Sequence, residues 1–182
     1  MKKMAKKAKL KKTNDERILD QHHIEYVETH FDWINKGKDA LAEAATMGVD
    51  PKSILKTIVL QANKDPKDYL VVCLPLEYEL DLKLVAQQLN KKQVHLADNK
   101  NLINITGYVH GENTPIGIKI RKGFPIYFDE RIKVFEKIAV SAGKIGRSVL
   151  LKQTDLVKLV AGEYIRVAEW VIFWKSLAKC KR

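Results

Sequence analysis

Three stretches of this 182-residue chain hold residue types that could do chemistry. The first is Thr106-Gly107-Tyr108-Val109-His110-Gly111-Glu112-Asn113-Thr114-Pro115-Ile116-Gly117, which packs three glycines and a proline into one loop. Glycines let backbone N–H groups come close to a ligand and Pro115 stiffens the turn, so the loop could aim amides at a developing oxyanion. The same punctuation also suits a plain structural turn. The second is Lys56, within Ser53-Ile54-Leu55-Lys56-Thr57-Ile58-Val59-Leu60. If Leu55, Thr57 and Val59 share one strand face, Lys56 points the other way with Ile54, Ile58 and Leu60. A lysine in that apolar company either snorkels to solvent or lines a cleft, where it could hold a phosphate, a carbonyl or a ribose hydroxyl. The third is Ser141-Ala142-Gly143-Lys144-Ile145-Gly146-Arg147-Ser148, small residues around two cations. That composition fits a backbone turn beside an anionic or polar ligand, or a turn alone.

Other chemistries lack their residues. His22, His23, His30, His95 and His110 show no HExxH spacing, and Cys73 and Cys180 form no CxxC pair, so no metal site and no disulfide framework is expected. Without GxGxxG, GxxxxGK[ST] or GxSxG, a dinucleotide fold, a P-loop and a nucleophile elbow are all disfavoured. No cofactor is implied. Trp33, Trp170, Phe173 and Trp174 could stack on bases, but the last three follow i, i+3, i+4 spacing, which burial of one helix face explains better.

The elements that must position these groups alternate irregularly. Thr13 with Asp15 and Glu16 reads as an N-cap opening a short helix, and Ile24 to Thr29 alternates like a half-buried strand. Asp39 to Met47 reads as a helix stopped by Gly48. Ile54 to Ala62 and Tyr69 to Pro75 flank a polar, turn-prone Asn63 to Asp68 and read as a β-hairpin. A helix from Leu80-Asp81 to Leu89, a strand at Gln93 to Leu96, and a helix capped by Asp98 through Ile105 follow. Gly107 to Gly117 is expected to be loop. Strands are expected at Ile126 to Phe128, Ile138 to Ser141 and Ser148 to Leu151, then a helix from Thr154 to Val160 ending at Gly162 and a final helix over Glu163 to Ala178. Short strands with hairpin-length links indicate a single α+β domain rather than a regular parallel sheet.

Composition sets the outer bounds. With 46% apolar and 30% charged residues the chain can bury a core, so disordered and collagen-like classes fall away. The net charge of +11 sits at the ends: residues 1 to 12 hold seven lysines and residues 175 to 182 four basic groups, which leaves residues 13 to 174 neutral. The expected organisation is a basic tail over 1–12, the domain over 13–162, and a helix with a basic tail over 163–182. Such tails could follow a phosphate backbone with steep salt dependence, or act as solvated solubility arms. The lysine-rich start lacks the apolar stretch of a secretory signal, and the apolar run Trp170 to Trp174 is far short of the ~20 residues of a membrane span. A reducing, cytoplasmic setting without membrane contact is expected.

Taken together, Leu55-Lys56-Thr57-Ile58-Val59, Leu80-Asp81-Leu82-Lys83-Leu84-Val85-Ala86, Gly107-Tyr108-Val109-His110-Gly111 running to Pro115-Ile116-Gly117, and Val140-Ser141-Ala142-Gly143-Lys144-Ile145-Gly146 closely resemble the YbaK/EbsC-type aminoacyl-tRNA deacylases. These are relatives of the editing domain inserted in bacterial prolyl-tRNA synthetases, and the likeness spans about residues 13 to 162. The resemblance implies a compact α+β domain around a mixed, barrel-like sheet flanked by helices. It implies hydrolysis of mischarged tRNA in trans, with Cys-tRNA(Pro) as the substrate of the YbaK branch and prolyl-tRNA synthetase as a partner. DNA is not an implied partner. By resemblance Lys56 positions the 3′-terminal ribose or the ester carbonyl, and amides near Gly111 hold the aminoacyl carbonyl and its oxyanion. Thr114 and Pro115 belong to the substrate-binding loop, while Ser141, Ala142 and Gly143 border the pocket.

Two positions depart from the family pattern. His30-Phe31 stands where a Tyr is frequent, and Arg147-Ser148 where an Asp commonly follows the G-K-x-G turn, so Phe31 and Ser148 are the residues expected to touch the substrate there. Loss of a hydroxyl and a carboxylate could shift amino-acid preference. An aminoacyl ester is already activated, so orientation and oxyanion stabilisation can replace a strong nucleophile. By resemblance the attacking group is the cysteine substrate's own thiol, a ribose hydroxyl or water. The opposing reading is a non-catalytic tRNA- or synthetase-binding module of the same fold.

Overall fold

The computed structural model describes residues 11–30, 42, 44–46, 48–63 and 65–168. Residues 1–10 of the basic N-terminal tail, the basic C-terminal tail, Phe31, Trp33, the start of the Asp39 to Met47 helix and the Trp170 to Trp174 stripe lie outside the described residues.

Helix α1 (Asn14–Gln21) opens on a reciprocal cap. The Thr13 hydroxyl accepts from the Glu16 amide at 3.2 Å, and the Glu16 carboxylate accepts from the Thr13 amide at 2.8 Å. The same carboxylate takes Arg147, whose Nε and Nη2 donate to its two oxygens at 2.6 and 2.7 Å. Arg147 also donates to the Lys11 carbonyl and approaches Glu28 at 3.3 Å. Its guanidinium ties α1 to the sheet, and the residue also lines the cleft described below.

Among the described residues, eight strands form two sheets. Strands β1 (Tyr26–Thr29), β7 (Arg147–Lys152) and β6 (Lys137–Lys144) make an antiparallel sheet in the order β1-β7-β6. The larger sheet runs β4 (Val94–Leu96), β2 (Leu55–Ala62), β3 (Tyr69–Pro75), β5 (Ile126–Asp129), β8 (Glu163–Ile165). β2 and β3 form the expected hairpin, with Lys56 opposite Leu74 and Gln61 opposite Tyr69. β3, β5 and β8 run parallel, so the sheet is mixed. An isolated bridge from Ile54 to Ala139 joins the two sheets. The sheets do not close, so the barrel-like expectation reduces to two sheets meeting at one edge.

The faces of β2 divide as the alternation predicts. Leu55 and Val59 enter the main core with Cys73, Phe128, Val140 and Leu19. Leu60 and Ile58 lie on the opposite face with Val72, Leu74 and Val85 of α2 (Leu82–Gln88). Asp81 caps α2 through the amides of Lys83 and Leu84. Asp98 starts a short 3-10 turn that leads into α3 (Leu102–Thr106).

Two expectations need correction. The loop read over Gly107 to Gly117 ends at Thr114, where α4 (Pro115–Lys122) begins. Thr114 caps it by accepting from the Ile116 amide, and Pro115 fits the first turn because its missing N–H has no intrahelical partner to lose. The helix read from Glu163 starts instead as β8, because Glu163-Tyr164-Ile165 pairs its backbone with β5 and sets Tyr164 against the Phe128 ring. Gly162 permits that approach, since a Cβ there would lie 2.6 Å from Phe128. The helix α5 (Gln153–Leu159) precedes it.

Removing one partner of a buried ion pair strands the other, at a cost of about 3–5 kcal/mol. Urea unfolding of Arg147→Met and of Glu16→Gln should each show a loss of that order, and the double variant should lose less than the sum. Single-variant losses below about 1 kcal/mol would mean that the pair behaves as a solvated surface contact.

Candidate active site

Lys56 sits near the start of β2, half-buried, with its ammonium 3.4 Å from the Leu76 carbonyl. That long contact is its only hydrogen bond among the described residues, which leaves donors free for a ligand. Burial lowers its pKa below the ordinary 10.5, against the opposing pull of Glu79. In front of it lies a cleft of ≈ 330 Å³, also lined by Gly111, Ser141 and Ser148. Thus four of the expected residues, drawn from β2, the glycine loop, β6 and β7, share one cavity.

The loop is fastened to β6 at the cleft. Ser141 Oγ donates to the Glu112 carbonyl at 3.3 Å and accepts from the Gly143 amide at 3.2 Å. Next to that carbonyl, Gly111 holds φ +89°, a conformation that side-chain-bearing residues rarely adopt. Behind the loop, the Tyr108 hydroxyl donates to Asp15 Oδ1 at 3.1 Å, and Arg121 covers the Tyr108 ring at 5.2 Å. Gly117 makes room for that bond, because a Cβ there would stand 1.7 Å from the Tyr108 oxygen.

Thr114, Pro115, Ala142 and Gly143 do not line the cleft. Alternation along β6 turns Ala142 into the core while Ser141 faces out. Gly143, at φ +78°, faces Tyr108 and Asp15 instead, and Thr114 and Pro115 are buried in the start of α4. These four support the wall from behind. Phe31 lies outside the described residues. The sequence reading gave no role to Thr57, Leu76 and Asn113, which do line the cavity together with Lys144, one of the two cations of the third stretch. For Thr57 and Asn113 the available signal was their place inside motifs already singled out. Leu76 had none, since it arrives through the hairpin.

The cleft is lined by Lys56, Lys144, Arg147 and His110 and by no acidic residue. A wider groove of ≈ 650 Å³ beside β1 mixes Asp20, Glu25, Glu28 and Glu136 with Lys12, Lys137 and Lys152. Among the described residues no cluster of His, Cys, Asp or Glu is placed to hold a metal ion. Cys73, the nearest thiol on β3, is buried and pushed up to about 12 by desolvation, so it is not a nucleophile. What the cavity offers is cationic, backbone and hydroxyl donors around an open space, a set suited to holding an ester and its oxyanion.

Comparison with known proteins agrees with that chemistry. Residues 35–159 match the family described as "Aminoacyl-tRNA editing domain". The chain belongs to this family. It is 35% identical over 164 residues to the Enterococcus faecalis protein named "Putative Cys-tRNA(Pro)/Cys-tRNA(Cys) deacylase EbsC", covering 90% of this chain and 98% of that protein. A solved structure described as "a putative trans-editing enzyme for prolyl tRNA synthetase" superposes with a TM-score of 0.70 at 17% identity, covering 87% of this chain and 99% of the other. The hypothetical protein APE2540 gives a TM-score of 0.70 at 18% identity, covering 85% and 98%. At those identities the structures speak for the fold alone. Family and relative support a hydrolase role for this editing domain, and no described helix is long and apolar enough to cross a membrane.

Asp15 supplies a check on the support behind the loop of the editing domain. Burial raises its pKa above 3.8, with the Thr114 and Tyr108 hydroxyls and Arg121 acting in the other direction. A raised folded pKa gives stability that is present below the unfolded value and lost as pH rises through the folded one. Melting measured across that window should therefore show the wild type losing ground to Asp15→Asn as pH rises from 3.8. A wild-type-minus-variant difference independent of pH would contradict the buried, strained carboxylate.

Proposed function

We propose that this protein is a trans-acting deacylase that hydrolyses mischarged tRNA in the cytoplasm, with Cys-tRNA(Pro) as substrate and prolyl-tRNA synthetase as the source of the error it corrects. The observation that carries the reading is the convergence of Lys56 and the Gly111 loop on one acid-free cleft. The substrate preference draws support from the name of the E. faecalis relative.

In this reading Lys56 holds the ester carbonyl or the adjacent ribose oxygen. Amides near Gly111 receive the oxyanion that forms when the carbonyl carbon is attacked, with Ser141 fixing the loop through the Glu112 carbonyl. With water as nucleophile, its oxygen bonds to the carbonyl carbon, the bond to the ribose oxygen breaks, and the displaced proton ends on the ribose hydroxyl. Where the cysteine thiol attacks instead, its sulfur bonds to the carbonyl carbon to close a four-membered thiolactone, the ribose oxygen leaves with the thiol proton, and water then opens the ring to free cysteine. Ser148 and Lys144 flank the mouth where the acceptor strand enters.

Hydrolysis of Cys-tRNA(Pro) and Ala-tRNA(Pro), run side by side with wild type and Lys56→Ala, tests this. Wild type should release cysteine, and Lys56→Ala should be slower by about 10²–10³ with melting little changed, since the one hydrogen bond lost is the long contact to the Leu76 carbonyl. Preference for alanine would keep the deacylase and change its substrate. No release above background from either ester by folded protein would overturn the reading in favour of a non-catalytic binding module.

A further inference from the structure

Val134 is 80% exposed at the end of a 3-10 turn (Glu130–Val134), the most accessible of the large apolar side chains among the described residues. A hollow of ≈ 290 Å³ opens beside it, walled by Phe135, Val49 and Leu150. Its floor is apolar, because Val49 and Leu150 pack with Ile54 and Ala139. Through Leu150 the hollow continues into the groove beside β1, where Val27, the cross-strand partner of Leu150, is 55% exposed. Val134, Phe135, Leu150 and Val27 thus make an apolar surface that the described residues leave uncovered, the kind that marks an interaction site.

The last described residues are clamped to the same turn. Arg131 donates from Nη2 to the Ala168 carbonyl at 2.7 Å, and its guanidinium also meets the buried Asp129 carboxylate at 3.0 Å and the Tyr78 ring at 4.5 Å. The Val167 carbonyl accepts from the Asp81 amide at 2.9 Å, and Val167 and Ala168 are both fully buried. The point from which residues 169–182 set out is therefore fixed. Arg131 and Val134 stand three positions apart, one turn of a 3-10 helix or about 6 Å along its axis. Trp170 lies two residues past Ala168, within about 7 Å of chain. That segment carries the apolar stripe that the deacylase reading leaves unused, Trp170, Phe173 and Trp174 at i, i+3 and i+4.

We propose that the segment from Trp170 to Trp174 folds back onto this surface, with Trp170, Phe173 and Trp174 packing on Val134, Phe135 and Leu150. The tether decides that the occupant is this chain's own segment. A stretch that starts so near its site competes at an effective concentration in the millimolar range, which a separate partner has to exceed. Charge does not select the occupant, because Glu136 and Lys137 offset each other at the rim and Asp50 is engaged in capping the Lys52 amide at 2.9 Å. The attraction is burial of apolar surface. The hollow shares no lining residue with the Lys56 cleft, so the inference stands apart from the deacylase reading.

The test uses the full chain with valine methyls and aromatic rings labelled for NMR. NOEs should join the Val134 methyls to ring protons of Trp170, Phe173 or Trp174 within one chain. Val134→Asp should abolish them and lower Tm by about 2–4 °C, the scale of one lost apolar contact in a chain of this size. A valine left in water would instead accept aspartate with melting unchanged. NOEs seen only between differently labelled chains in a mixture would assign the surface to a second copy and overturn the proposal. So would NOEs from Val134 to residues 31–41, or no NOE together with unchanged melting of Val134→Asp. None of these readouts needs turnover, so a failed deacylase assay leaves the proposal standing, and its own failure leaves the deacylase reading intact.

Discussion

Tyr108 can reach Asp15 only because position 117 carries no side chain, and the cleft depends on that contact. The Tyr108–Asp15 bond pins the glycine loop to α1 from behind, while Ser141 pins it to β6 from the front. Helix α1 is in turn held to β7 by the buried Glu16–Arg147 pair. Each fastening joins segments distant in sequence, the last spanning 131 residues. The result is a backbone segment with Gly111 in a left-handed conformation, fixed across an open space from Lys56. An oxyanion site needs this order of preorganisation, since donors that must reorganise during reaction lose most of their advantage.

The constraint also explains the sparse chemistry of the cavity. Its side chains include no paired carboxylates and no activated thiol, and its lysine is half-desolvated rather than engaged in an ion pair. A substrate whose bond is already activated needs its carbonyl oriented more than it needs a strong base. The lining of the cleft holds cations and no acid, whereas the wider groove by β1 mixes four acids with three lysines, so the cleft suits an anionic ligand better.

Much of this was legible from local sequence. The Thr13–Glu16 cap, the hairpin of β2 and β3, and the division of β2 into a core face and a Lys56 face all follow from turn chemistry and alternation. The unread parts are those that depend on distant partners. Gly117 looked like loop punctuation, yet it lies inside α4 and serves the Tyr108 hydroxyl. Arg147 lines the cleft, as its stretch suggested, but the partner that holds its guanidinium, Glu16, lies 131 residues away and left no local signal. Ala142 and Gly143 sit beside the cleft in sequence, but the pleat of β6 and the positive φ of Gly143 direct them behind it. Glu163 to Ile165 carried an apolar pattern compatible with a helix, and only the open edge of β5 makes it a strand.

The central claim is that Lys56 and the Gly111 loop hold the ester carbonyl between them. A structure with adenosine carrying cysteine through a 3′-amide, which cannot be hydrolysed as the ester is, tests it most directly. The account predicts the carbonyl oxygen within hydrogen-bond distance of Lys56 or of a backbone amide at Gly111, inside the cleft. A carbonyl turned away from both, or an analogue seated in the groove beside β1, would contradict it.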